Sequence, residues 1–281
     1  MTLMMNDDPV HLAFVTDGDN SQILGISLVL RSLRPRLANR TSAVPATVWV
    51  AAPVQSHEKS ARWLQSASAN ADFRFLPATP RGDDRYFVQL FLVDVFEQIS
   101  ASQVVTCLDY DHVILDAERF PIDTPSVGVT VSSELRKDVA NDVLQVFGDQ
   151  PNLARLNTSL LAGTAASLRG VGKHWVAAYR EMRSVAPKRY LAETSFGLAA
   201  LRAHTLVSPC SPAVQGNFAN PTRACFAFHY GGEYNSGMEM KRVLREQADV
   251  IPPSGPTGED LDQITRALQA VLIGGLSVGK D

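Results

Sequence analysis

Asp109 and Asp111, two residues apart, close an apolar stretch that runs Val104-Val105-Thr106-Cys107-Leu108. Side chains alternate across a strand, so carboxylates at i and i+2 point to one face. A strand buried on both faces does not carry two carboxylates unless their charge is compensated. A divalent cation bridging to a phosphate compensates it, because Mg²⁺ and Mn²⁺ prefer oxygen ligands. The other use of such a pair is a solvated turn at a strand end. Further polar groups follow apolar stretches elsewhere. Asp17, Asp19 and Asn20 come after His11-Leu12-Ala13-Phe14-Val15-Thr16, and His229 ends Cys225-Phe226-Ala227-Phe228 before Tyr230-Gly231-Gly232. For His229 the choice is between a metal ligand and a histidine packed at a strand end, and the glycine pair favours the ligand. Asp17 and Asp19 also suit the capping of a following helix. Asn157 also suits a turn, and Asp116 suits the cap of a short turn.

The elements that must hold these residues can be read from hydrophobic periodicity. Residues 10–17 form a first strand. Ile23, Ile26, Leu30 and Leu33 then recur at helical spacing, and Pro35 is expected to stop that helix. Strands over 46–52, 73–76 and 103–108 alternate with helices over 56–69 and 86–99, with a loop over 77–85. This β-α-β-α-β-α-β order predicts an α/β fold with a mostly parallel central sheet and helices on both faces. In such sheets ligands sit beyond the carboxyl ends of the strands. Asp17 and Asp109 both fall there, so they can converge on one crevice. The second half predicts a strand over 127–131, a short apolar segment over 156–163, helices over 175–185 and 193–204, and a strand over 225–230. A Pro/Gly-rich linker covers 251–258. Leu261, Ile264, Leu268, Val271 and Leu272 then form one face of a terminal amphipathic helix. Within 104–115, His112 is expected to point away from Asp111.

Composition narrows the classes. The chain has 281 residues, 45% hydrophobic and 20% charged, with a net charge of −3. That is an ordinary globular composition, enough for one large domain or two small ones. The charge gives no support for nucleic-acid binding. Cys107, Cys210 and Cys225 lack CxxC spacing, which points to reduced thiols and away from a zinc site. Segment 1–9 is acidic and unlike a signal peptide. No apolar stretch reaches the roughly 18 residues that span a bilayer. The expectation is a cytoplasmic protein.

Four short motifs in order resemble the retaining glycosyltransferase family that holds glycogenin, galactinol synthase and the bacterial lipopolysaccharide galactosyl- and glucosyltransferases. That family has the glycosyltransferase A fold, a Rossmann-like mostly parallel sheet with helices on both faces. Its opening strand and nucleotide-binding Asp and Asn positions match Ala13-Phe14-Val15-Thr16-Asp17-Gly18-Asp19-Asn20. Its Leu-Asp-x-Asp metal motif matches Leu108-Asp109-Tyr110-Asp111. Its Phe-Asn-x-Gly segment matches Leu156-Asn157-Thr158-Ser159, and its His-Tyr-x-Gly segment matches His229-Tyr230-Gly231-Gly232.

The resemblance spans about residues 10 to 240 and implies several things. Asp109, Asp111 and His229 would bind Mn²⁺ or Mg²⁺. Thr16, Asp17, Asp19, Asn20, Arg85, Gln89, Asp109 and Gly232 would hold a nucleotide sugar, foremost a UDP-sugar. Asn157, Glu193 and Thr194 would face the sugar. One catalytic domain would cover 1–250, with a nucleotide-binding half at about 10–120 and an acceptor half at about 121–250. A linker and helix at 251–281 would follow, and that helix is a candidate homodimer contact.

The departures from the family are specific. Its Asp-Gln or Asp-x-Asp pair falls on Ala192-Glu193-Thr194-Ser195, which keeps a carboxylate and lacks the amide. Its diphosphate Lys falls near Asn235. Its Arg before the metal strand falls near Gln89, with Arg85 close by as a substitute. Lys137, Lys241 and Arg242 are other sources of positive charge.

The terminal helix lacks the Lys/Arg cluster of a membrane anchor. The acceptor is therefore expected to be a soluble small molecule, glycan or protein, and the resemblance implies metal-dependent transfer to it with retention. The alternative is a non-catalytic relative that binds a nucleotide or a partner in the same crevice. A metal phosphohydrolase would need more clustered Asp and His ligands than the chain offers.

Overall fold

The first strand, β1 (His11–Val15), is buried along its whole length, as is β2 (Thr47–Ala52). Strands covered on both faces read as continuous apolar runs, which is why they stand out in the sequence. In the computed structural model, residues 11–38, 46–68, 71–78, 85–120, 127–135, 153–183, 191–218, 225–231 and 235–278 are described. In chain order they give β1, α1 (Asn20–Ala38), β2, α2 (His57–Ala67), β3 (Asp72–Pro77), α3 (Leu92–Gln98), β4 (Val104–Leu108) and β5 (His112–Ile114). There follow β6 (Val129–Leu135), β7 (Arg155–Thr164), α4 (Ala165–Met182), α5 (Leu191–Arg202), β8 (Val207–Pro209), β9 (Gln215–Asn217), β10 (Ala227–His229), α6 (Asn235–Val250) and α7 (Gly258–Val278).

The main sheet has seven strands in the order β3-β2-β1-β4-β7-β6-β8. β7 is antiparallel to both its neighbours, and every other pairing is parallel, so β7 alone runs against the rest. This is the mostly parallel α/β sheet that the element order predicts. Alternate residues of each strand serve opposite faces. Ala13, Val15, Val105 and Cys107 pack with Trp175 of α4 and Phe196 of α5. Leu12, Phe14, Val48 and Val50 pack under α1, α2, α6 and α7. No described helix is long and apolar enough to cross a membrane.

A second, three-stranded sheet has the order β5-β10-β9. It matters for the site because β10 lies antiparallel to β5, with His229 opposite His112.

Several elements differ from the sequence reading. α1 passes through Pro35 to Ala38, because Leu33 and Leu37 are both buried and hold the last turn. A proline there forfeits one hydrogen bond near the helix end, a cost that burial offsets. The helix expected from 86 starts as a 3-10 turn, Arg85–Phe91, and becomes α-helical at Leu92. α4 starts ten residues earlier than expected, where the Thr164 hydroxyl accepts from Ser167 N and caps it. The strand expected over 127–131 runs Val129–Leu135. α6 has no counterpart in the sequence reading. Its buried stripe is Met240, Leu244 and Ala248, spaced by four, with Gly237 beneath it.

Candidate active site

The chain leaves the main sheet at Leu108 and enters the small sheet at His112. Asp109 and Asp111 therefore sit on the crossing between the two sheets. β10 brings His229 to the same place. One ligand atom from each of Asp109, Asp111 and His229 lies within 4.8 Å of the others. Gly231 makes that approach possible. A Cβ on Gly231 would stand 2.3 Å from His229 Nε2 and 2.8 Å from Asp111 Oδ2. Gly25 does the same for α1, since a Cβ there would lie 2.4 Å from the Tyr110 carbonyl oxygen.

The electrostatics of the cluster are uneven. His229 Nε2 stands 3.2 Å from Asp111 Oδ1, and Lys241 Nζ stands 3.1 Å from Asp111 Oδ2. Burial alone would raise the Asp111 pKa, but the His229 and Lys241 charges overcome it and hold the carboxyl well below the usual range. Burial likewise works against a charged His229, and the Asp111 carboxylate outweighs it and raises that imidazole. Asp109 is less well compensated. Burial and the Asp111 charge push its carboxyl up to about 8. A neutral amide, Gln89 Nε2, donates to Asp109 Oδ2 at 3.3 Å. The 3-10 turn sets Gln89 there, and Thr158 Oγ1 fixes it by donating to Oε1 at 3.0 Å.

This donor set fits a divalent ion. It offers two carboxylates and one imidazole, one carboxylate under-compensated, in a cradle that a single Cβ would fill. Gly231→Ala is accordingly expected to abolish Mn²⁺ binding with little change in far-UV circular dichroism. Isothermal titration with MnCl₂ checks this, and parent-like affinity would mean the cradle is not where the ion sits.

His112 is not turned away from the cluster. It is buried, and its ring stacks on His229 with centroids 5.0 Å apart. Its Nδ1 donates to the Asp109 carbonyl at 3.0 Å, so Nε2 accepts from the Gln215 amide at 2.6 Å. Gln215 also donates to Ser159 Oγ at 3.2 Å and accepts from Ser132 Oγ. Burial lowers the His112 pKa to about 4, which keeps the ring neutral beside His229.

The loop after β1 is folded by its own side chains. Thr16 is buried, and its hydroxyl accepts from Gly18 N at 3.0 Å. Asp17 Oδ1 accepts from Asp19 N at 2.9 Å, and Asp19 Oδ1 accepts from Ser21 N at 2.8 Å. Asp19 thus caps α1, and both Asp17 and Asp19 are exposed. Lys59 of α2 donates to the Gly18 carbonyl at 2.6 Å and to Asn20 Oδ1 at 2.8 Å, a clamp with no motif to announce it.

On the β7 side, Ser159 O accepts from Asp109 N at 2.9 Å, which brings the middle of β7 beside the cluster. Asn157 Oδ1 accepts from Ser159 N at 2.9 Å, a local bond of the kind a turn-forming Asn makes. Glu193 Oε2 lies 3.0 Å from Arg155 Nε, and Thr194 is buried in α5. Asp116 caps the short turn Ala117–Arg119, as expected.

Of the alternative cations, Lys241 reaches the cluster. Arg242 points elsewhere and pairs with Glu239 and Glu246 on the face of α6. Gly232, Lys137 and the Arg85 side chain lie outside the described residues. The sequence reading passes over the helix that carries Lys241, although α6 has a clear apolar face in Met240, Val243, Leu244 and Ala248. The i, i+4 spacing of Met240, Leu244 and Ala248 is the signal that points to that helix.

No protein-family model and no curated protein matches the sequence. Solved structures do match. The galactosyltransferase LgtC, in complex with donor and acceptor sugar analogues, is 14% identical over 86% of this chain and 97% of its own, with a TM-score of 0.57. Mouse xyloside xylosyltransferase 1 is 14% identical over 81% of this chain and 98% of its own, with a TM-score of 0.51. The bifunctional glycosyltransferase WbbM is 12% identical over 96% of this chain and 52% of its own, with a TM-score of 0.50. At these identities the likeness is one of architecture, and the chain has the glycosyltransferase A fold that its motifs imply.

Proposed function

We propose that the chain is a metal-dependent glycosyltransferase that moves a sugar from a nucleotide sugar, foremost a UDP-sugar, to a soluble acceptor with retention. One observation carries this reading. Asp109, Asp111 and His229 come from separate strand ends and converge within 4.8 Å beside the carboxyl end of β4. Residues from distant strands that bury charge together are a functional-site signature. The fold supports it, and so does the solved galactosyltransferase of like fold that carries donor and acceptor sugar analogues. Retention rests on the motif resemblance.

Asp109, Asp111 and His229 would hold Mn²⁺ or Mg²⁺, which when bound supplies Lewis-acid neutralisation of the departing diphosphate. The chain's own residues do the rest. Asp17 and Asn20 face the nucleoside from a loop that Lys59 and Asp19 hold rigid. Gln89 orients Asp109 without neutralising it. Glu193 is the carboxylate nearest the sugar in this reading, and Arg155 orients it. Asn157 lines the same side.

A panel of nucleotide sugars tested by thermal shift in MnCl₂ and in EDTA examines the reading. The matching donor should stabilise by about 2–3 kcal/mol at a hundredfold excess over Kd, and only with metal. Equal shifts in metal and chelator would overturn it. A second reading, nucleotide binding without transfer, gains support from the engagement of Glu193 by Arg155 and the burial of Thr194. Metal-dependent release of free sugar from the donor separates the two.

A further inference from the structure

Lys241 is the positive charge that the motifs do not account for. α6 is held by Met240, Leu244 and Ala248, so the stem of Lys241 is delivered to the cluster by a packed helix. Glu239 and Glu246 on the same helix are occupied by Arg242, which leaves Lys241 to the Asp111 carboxylate. Asp111 is 5% exposed and cannot rely on water for compensation. The Lys241 side chain is 30% exposed, so its ammonium has a path into the crevice. Lysine suits such a move, being a compact point charge on a flexible stem.

We propose that Lys241 is a tethered counter-cation of Asp111 that must leave for a divalent ion to bind, and that the diphosphate receives it. This rests on the metal reading above. A divalent ion held by Asp109, Asp111 and His229 would stand next to the ammonium on the same carboxylate, and like charges at that separation repel strongly. The ion alone therefore displaces Lys241 into water. An ion that arrives with a diphosphate offers the displaced ammonium two phosphates' worth of oxygens. Metal and diphosphate then bind cooperatively, and each raises the other's affinity by the same factor. Lys241 couples them by exchanging one anion for another.

Lys241→Met and Lys241→Gln test this with Mn²⁺ alone and with inorganic pyrophosphate at saturating Mn²⁺, both by isothermal titration. Both variants should bind Mn²⁺ alone about tenfold more tightly than the parent, and pyrophosphate about tenfold more weakly. Opposite signs for the two ligands are not the mark of a merely structural lysine. Lys241→Arg keeps the charge and should restore the weaker Mn²⁺ binding. Unchanged or weaker Mn²⁺ binding by both variants, with a parent that binds Mn²⁺ normally, would overturn the inference and leave the metal reading intact. A parent and variants that all bind no Mn²⁺, with or without pyrophosphate, would overturn the metal reading and the inference together.

Discussion

Asp111→Asn is expected to lower sugar transfer by roughly three orders of magnitude or more, the scale of losing a metal and its charge stabilisation together. The amide keeps the carboxylate's shape but carries no charge for an ion. Asp111 lies between His229 and Lys241, so the substitution also costs stability. Losing one partner of a fully buried pair costs about 3–5 kcal/mol. Lys241 is part-exposed and can rehydrate, so the loss should be well below that. The folded protein should persist, with a cooperative melt and parent-like far-UV circular dichroism.

The pH response should change too. Asp111 has a depressed folded pKa, so its contribution is present above the unfolded value of about 3.9 and fades as pH falls through the folded one. His229 has a raised one, so its contribution is full below about 6.5 and is lost as pH rises through the folded value. In the variant the Asp111 trend should vanish and the His229 trend should weaken, since only Asp109 is then left to raise that imidazole. Initial-rate assays and melts across pH check these outcomes. An Asn variant that stays active would remove Asp111 from the metal site.

Glu193→Ala should lower turnover by about two orders of magnitude or more, the scale for one preorganised stabilising group, with donor Kd nearly unchanged. A retaining transfer has two routes. In one, the acceptor enters on the face the diphosphate leaves, and a polar group stabilises the oxocarbenium-like state. In the other, a carboxylate forms a covalent glycosyl intermediate. In the proposed function Glu193 is the carboxylate assigned to either. Its pairing with Arg155 at 3.0 Å favours the stabiliser, because a guanidinium on the carboxylate weakens it as a nucleophile. Removing Glu193 leaves Arg155, whose side chain is 12% exposed, without that carboxylate, so Glu193→Gln is the companion that limits structural damage. NMR of the early product should give the donor's anomeric configuration. An inverted product, or a fully active Glu193→Ala protein, would mean that 192–195 does not face the sugar.

The half of the fold from β1 to β4 is legible in the sequence because β1, β2 and nearly all of β4 are buried and so read as apolar runs, while the partly exposed β3 still carries Phe73, Phe75 and Leu76. Asp17, Asp19 and Asp109 stand out by interrupting those runs. The expectation for His112 fails for a physical reason. Alternation along 104–115 assumes one continuous strand, but the chain changes sheets between Leu108 and His112 and the parity restarts. The start of α4 is masked by Gly170 and Gly172. A Cβ on Gly172 would make only ordinary contact with Val93, at 3.4 Å, so packing alone does not demand that glycine. α6 escapes notice because most of its surface is charged and only one narrow stripe is buried. The Lys59 and Gln215 contacts join residues far apart in sequence, and single-chain periodicity carries no trace of such pairs.

Asp111 and His229 are more than a hundred residues apart, and the pairing of β5 with β10 has already brought them together. Gathering two such points from a flexible chain would cost about 4 kcal/mol in closure entropy alone. Folding has met that cost before any ion arrives. The affinity of the cluster is thus not spent on assembling its own ligands. It is set by what must be moved aside, and the short three-residue strands that hold the ligands become the place where binding can be tuned without touching a single ligand.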